Sequence, residues 1–322
     1  GFLKNRLNLA ADYYRRNNFD LIGVINTQGA GGTIAKYANI ASMKSSGIEL
    51  TISSKNMRTK DFSWNTDFIF SKTKNEITDL KSHANVLSLI SGNGFGREGY
   101  PVRGLFSIPF AGLTEDGLPT FINQDGQKTI SSFNFQEYEK LDFLKYEGPT
   151  DPTITGSFGN ILTYKNLKLN VFVTYSFGNV IRLDPVFSNA YSDLDAMPKE
   201  FKNRWMKAGD ENVTNIPTIV STRMNQQYAY LNMAYNAYNY SDVRIADGGF
   251  IRLKEISLSY DLPAKVINFF RLNKLQLKLQ ATNLCLLYAD SKLNGQDPEF
   301  FRSGGVSTPV PKQFTFTVRL GL

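Results

Sequence analysis

The chain has 322 residues, 42% of them hydrophobic and 13% aromatic, with a formal net charge of +7 and a mean hydropathy of -0.27. No stretch approaches the ~18 consecutive apolar residues of a membrane helix, which excludes a helical membrane protein but not a transmembrane barrel, whose alternating strands escape hydropathy averaging. Cys285 is the only cysteine and His83 the only histidine, so an internal disulfide and a histidine-cysteine metal site are both excluded, and the basic residues are too dispersed for a nucleic-acid surface.

In chain order, the first expected strands lie near 5–24, 38–55 and 60–75. In FSWNTDFIFSK the apolar residues from Phe62 to Phe70 take one side, with Asn65 and Asp67 on the other. A lone His83 in LKSHANV has no nucleophile elbow nearby, and GNGFGREG (92–99) does not open a helix after a parallel strand, so neither a Ser-His-Asp triad nor a phosphate loop is expected. The segments 99–113 and 117–123 are expected as further wall strands around the hairpin signal in GLTEDGLPTF. Glu115, Asp116 and SDLDA (192–196) lack the ligand spacing of a calcium loop.

Strands near 152–164 and 166–178 follow. In LKLNVFVTYSFG, Leu167, Leu169, Val171, Val173, Tyr175 and Phe177 share a face opposite Lys168, Asn170, Thr174 and Ser176. The long connection 179–248 carries QQYAYLNMAYNAYNY. Trp205, Tyr228, Tyr230, Tyr235 and Tyr238 can stack on sugar rings and bond hydroxyls, which makes them candidate substrate contacts. The same side chains can instead pack the loop onto a partner or the barrel rim, and that alternative is preferred.

In GGFIRLKEISLSYDL (248–262), which holds the strand expected near 249–261, Ile251 and Leu253 share a face, and after Glu255 the apolar phase moves to Ile256, Leu258 and Tyr260. A one-residue shift of that kind is the mark of a β-bulge. VINFF within 262–273 forms one helical turn on the short-connection side. Strands near 272–284 and 311–322 complete a set of about ten, with short turns alternating with long loops in the manner of outer-membrane barrels. Arg252, Lys254, Lys278 and Arg319 then point into a polar lumen.

The blocks GREGYPVRGLFSIPFAGL, GSFGNILTYKNLKLNVFVTYSFGN, NRWMKAGD, DGGFIRLKEISLSYDLP, LQATNL, NGQDPEF and VPKQFTFTVRLGL, with RLNLAADYY and NIASMKSSGIEL before them, resemble the closing part of SusC/RagA-family proteins in order and spacing. The resemblance implies an all-β, transmembrane antiparallel barrel, with residues 1–322 as about the last ten strands of a twenty-two-stranded plugged barrel. It also implies a TonB-dependent importer of glycans or peptides across the outer membrane of Bacteroidetes. A SusD-like surface lipoprotein acts as lid in that family, TonB pulls on a plug lying upstream of the matched region, and no cofactor or catalytic site is implied. The remainder of the same barrel and plug, and outer-membrane lipid, are then its structural partners; no nucleic acid is. Ending on Leu322 rather than an aromatic residue departs from the habit of such barrels. A soluble lectin-like sandwich and a passive porin are the competing readings; the sandwich requires a protein core behind every apolar face.

Overall fold

The computed structural model describes residues 1–26, 32, 35–186, 198–228, 230–269, 272–301 and 311–321. Eight strands form one continuous antiparallel sheet in simple up-and-down order: β1 Leu7–Asn26, β2 Ala35–Arg58, β3 Phe62–Leu80, β4 Ile154–Tyr164, β5 Leu167–Phe177, β6 Phe250–Asp261, β7 Lys274–Ala289 and β8 Gln313–Gly321. Strands β1 and β8 lie at the two edges.

The apolar faces foreseen strand by strand are joined by the register into unbroken rows. Leu9 stands opposite Ile52, and the row continues through Phe68, Phe158, Val173 and Leu253 to Cys285. A second row runs Trp64, Leu162, Leu169, Leu258, Leu279, Phe316. Nothing among the described residues covers these side chains: Leu9 is 50% exposed, Leu279 59% and Phe316 62%. Large contiguous apolar surface left bare on one side of a sheet suits lipid and not the packed interior of a sandwich.

The opposite face is polar and bonded to itself. Ser53 Oγ donates to Asp67 at 2.6 Å, Asn170 Nδ2 to Glu255 at 3.2 Å and Gln276 Nε2 to Asp261 at 2.9 Å, while Lys278 lies 3.8 Å from Glu255. The eleven residues of β5 at a rise of ~3.4 Å and a tilt of ~40° span about 26 Å, the height of an outer-membrane apolar band. Aromatic residues mark both limits of that band. Tyr164, Trp64 and Tyr260 lie near the short turns, and Tyr175, Phe177 and Tyr288 near the long connections, with Phe177 6.1 Å from both other rings.

The bulge is present and its role is visible. Leu253 pairs with Val173 and Glu255 with Phe172, so Lys254 is the extra residue. Skipping it keeps Ile251 and Leu253 on the same outer face as Ile256, Leu258 and Tyr260. The helical turn is also present, as Ala264–Phe269 between β6 and β7.

Among the described residues the wall has eight strands, against the expected set of about ten. Segments 99–113 and 117–123 lie outside the wall, because β3 pairs directly with β4. Gly104–Ser107, Phe110–Leu113 and Pro119–Ile122 have four residues each, too few to cross a bilayer, and Leu105, Phe106 and Phe121 are fully buried in a protein core. The GLTEDGLPTF hairpin does form: Thr114 accepts from Gly117, and Leu118 O accepts from Thr114, with Gly117 at φ +74° where a side chain is strained. It serves the connection rather than the wall.

Candidate functional site at the long-connection rim

The connections 81–153 and 178–249 leave the wall at the same rim and fold into one body. Its core mixes residues of both: Val86, Leu89, Ile90, Phe106, Ile108, Phe121 and Leu144 from the first, Val186, Phe201, Ala237 and Tyr238 from the second. Asn85 caps the short helix Val86–Ile90 by accepting from Ser88 N at 2.9 Å. Where β5 and β6 leave the wall, the pairing continues as a narrow ribbon of Val180–Arg182 with Ile245–Asp247.

Arg182 of that ribbon ties the body together. Its guanidinium donates to Ile90 O at 3.0 Å, Ser241 O at 3.1 Å, Phe106 O at 2.6 Å and Ser107 Oγ at 3.0 Å. Arg244, also buried, donates to Glu200 at 2.7 Å and Asp184 O at 2.6 Å. Burial pushes the Glu147 carboxyl above its ordinary range; Lys145 and Arg182 nearby oppose the shift.

The five candidate aromatic residues are distributed unequally. Tyr235 is fully buried against Leu118, Leu231 and Ala234, its hydroxyl donating to Thr218 O at 2.7 Å. Tyr238 is 1% exposed in the main core, and burial pushes its phenol up to about 12. Neither ring has a face to offer a ligand, so the expectation of substrate contact is corrected for both: they are packing residues on the helix Leu231–Asn239. Trp205 is half-buried with its ring over Gly117 and its Nε1 donating to Glu211 at 3.1 Å. The Tyr228 hydroxyl donates to Asp116 at 3.2 Å, and that carboxylate raises its phenol pKa. Tyr230 is 70% exposed and held in a left-handed conformation at φ +65°. The DG hairpin thus gathers Trp205 and Tyr228 on one side of the body, and Tyr230 stands free in the same loop.

Asp116, weighed as a cation ligand, is engaged by Tyr228, and SDLDA (192–196) lies outside the described residues. Gly94 and Gly99 of GNGFGREG adopt positive φ in turns that bring the loop against β3, where Gly99 N donates to Ile77 O. Sequence reasoning missed an open cavity of about 540 Å³ at the mouth of the arc, where Ser176 and Phe250 of the wall meet Asn179, Arg103 and Glu299 of the connections. Strand alternation pointed Ser176 inward, but no local pattern connects it with Arg103 or Glu299, more than seventy positions away.

No family model matches the chain. It is similar to a TonB-dependent receptor, P3, of Formosa agariphila, 26% identical over 318 residues, covering 92% of this chain and 29% of that protein. It is likewise similar to the TonB-dependent receptor SusC of Bacteroides thetaiotaomicron, 25% identical over 342 residues, covering 100% of this chain and 30% of SusC. Among solved structures, a chain of the RagAB peptide transporter superposes with a TM-score of 0.74 at 23% identity, covering 98% of this chain and 33% of that one. The chain therefore spans about 30% of the length of the curated relatives it matches.

Proposed function

We infer that this chain, part of the barrel of a SusC/RagA-type TonB-dependent receptor of the outer membrane, supplies wall and outer-loop body to an energised nutrient importer. The observation that carries the reading is the uninterrupted lipid-facing band across all eight strands, in a chain whose likeness to TonB-dependent receptors extends over nearly its whole length. The remaining strands, the plug and the segment that engages TonB belong to the rest of such a receptor. Residues 1–322 act as one C-terminal barrel portion within it. An arc with two unpaired edges in hydrocarbon costs several kcal/mol per orphaned backbone group, which favours closure by further strands.

In this reading the body built from 81–153 and 178–249 faces the cell exterior, since outer-membrane barrels place their long connections there. A SusD-like lipoprotein closes over it as a lid, and TonB drives release on the far side with energy from the inner-membrane proton gradient. The chain supplies binding surface and wall, and no chemistry. Oligosaccharides are the preferred substrate class on the strength of Tyr230, Trp205 and Tyr228, whose side chains remain wholly or partly accessible. Peptides are the second reading, since RagAB, which shares the fold, is a peptide transporter.

The test is mass spectrometry of the complex purified in detergent from native outer membranes, combined with uptake assays on glycans and on peptides. Co-purification of a SusD-like lipoprotein with plug peptides from the same polypeptide is expected. Recovery of the chain alone, soluble without detergent, would remove the importer reading.

A further inference from the structure

Arg252 lies on the inner face of β6 between two interruptions of the β6–β7 register, one skipping Leu287 and one at Lys254 opposite Asn283 and Leu284. Asn283 takes a left-handed conformation at φ +53°, unusual for a residue within a strand. Two bulges around one side chain bend the strand pair there and re-aim what it carries. The Arg252 side chain is only 5% exposed, and its guanidinium grips both carboxylate oxygens of Asp297, itself 9% exposed, with Glu299 at 3.2 Å. Its Nε, also buried, has no hydrogen-bond partner among the described residues.

Asp297 belongs to the stretch 290–301, which is fastened at two heights. Its upper end rests on the ribbon that carries the outer body: Leu293 is buried with Ile181, Leu183 and Ala246, Lys292 Nζ donates to Ile245 O at 2.9 Å, and Asp290 accepts from Asp247 N at 2.8 Å. Its lower end is fastened to the wall through Arg252. Between the two, Asn294 at φ +53° and Gly295 at φ +87° reverse the chain in a tight turn. Glu299 also lines the cavity of about 540 Å³ at the mouth, together with Phe250, Ser176 and Asn179.

We propose that residues 290–301 are a strap, latched to the inner wall by the Arg252–Asp297 ion pair, that pivots at Asn294–Gly295 and couples the position of the outer body to the width of the lumen mouth. The proposal rests on the barrel reading above and adds a regulation of access to it. A buried ion pair suits a latch: it holds firmly while closed, and removing one partner leaves a charge that the site cannot accommodate. Glu299, half-exposed and touching Arg252 by a single contact, completes the closure at the cavity's edge.

The test is hydrogen-deuterium exchange on the full-length receptor in detergent, comparing wild type with Asp297→Asn, Glu299→Gln and the charge exchange Arg252→Asp with Asp297→Arg. In Asp297→Asn, amides of 291–301 are expected to exchange on the order of a hundredfold faster, with those of β6 and β7 unchanged. Glu299→Gln, which leaves the main pair intact and so keeps the fold, is expected to give a several-fold effect confined to the same stretch, and the charge exchange to recover part of the protection. Unaltered exchange in 291–301 in both single variants overturns the latch. Equal acceleration in β6 and β7 overturns it too, because the pair would then hold the wall rather than the strap. A wild-type receptor that stays in solution without detergent would refute the barrel reading instead, whatever the ion pair does.

Discussion

Gly156 sits on the outer face of β4, where the Tyr175 ring lies across it and its hydroxyl donates to Ile69 O on the next strand at 2.9 Å. A Cβ at 156 would strike both the ring and that carbonyl, so Gly156→Ala is expected to displace Tyr175 and destabilise the β3–β5 region by about 1–3 kcal/mol. The check is a lowered unfolding midpoint of the purified receptor in detergent. Glu147 gives a pH-dependent case. Its carboxyl titrates above the ordinary 4.5 because burial disfavours the anion, so the folded body binds that proton more tightly than the unfolded chain. The associated stability is fully present below pH ~4.5 and is lost as pH rises through the raised value. Glu147→Gln should abolish this slope, and limited proteolysis of the 81–153 and 178–249 body across that pH range would show it. Tyr230→Ala is expected to weaken glycan binding with no change in stability, because the ring touches little; unchanged affinity would leave the substrate to other parts of the receptor.

Among elements, the Lys254 bulge in β6 shows how one residue sets the fate of a strand. Deleting Lys254 leaves Leu253 opposite Val173 and Glu255 opposite Phe172 in an unbroken period of two, so Ile251 and Leu253 stay outside and Arg252 stays inside, and only the bend made by the extra residue is lost. Pairing Lys254 in register opposite Val173 would instead turn Arg252 to the lipid face and away from Asp297, which is why the extra residue is skipped. The deletion and Lys254→Ala are therefore both expected to assemble, measured by the folded fraction in membrane extracts, and loss of assembly in the deletion alone would show that the bend itself is required. The outer body depends in a similar way on Arg182, whose four hydrogen bonds join segments from both connections. Arg182→Met strands several buried carbonyls and should cost about 3 kcal/mol of body stability, seen as protease cleavage within 81–153 and 178–249 while the wall stays resistant.

At the scale of the whole molecule, the arc has apolar residues outside, polar residues inside and, among the described residues, two unpaired edge strands. Expressed alone, the chain is expected to give no heat-modifiable folded species in detergent, and to give one when produced together with the remainder of the receptor.

Most of the wall was legible from sequence because a half-buried strand writes its two environments into alternate residues. Leu167 to Phe177, Phe62 to Phe70 and Phe314 to Val318 could be assigned faces with no partner known, and the phase shift near Glu255 announced the bulge. The outer body was not legible in that way. Phe106, Phe121 and Tyr238 are apolar or aromatic for the same physical reason as the lipid-facing residues, removal from water, and composition does not say whether lipid or protein removes them. Only the tertiary structure decided that 104–122 packs with 231–239 as a core, that Tyr235 and Tyr238 are interior, and that Arg252 meets Asp297 forty-five positions away. Alternation is a local property, set by the geometry of successive Cβ atoms. Which distant segments share a core or an ion pair depends on how the connections fold back on each other, and no short stretch of sequence carries that information.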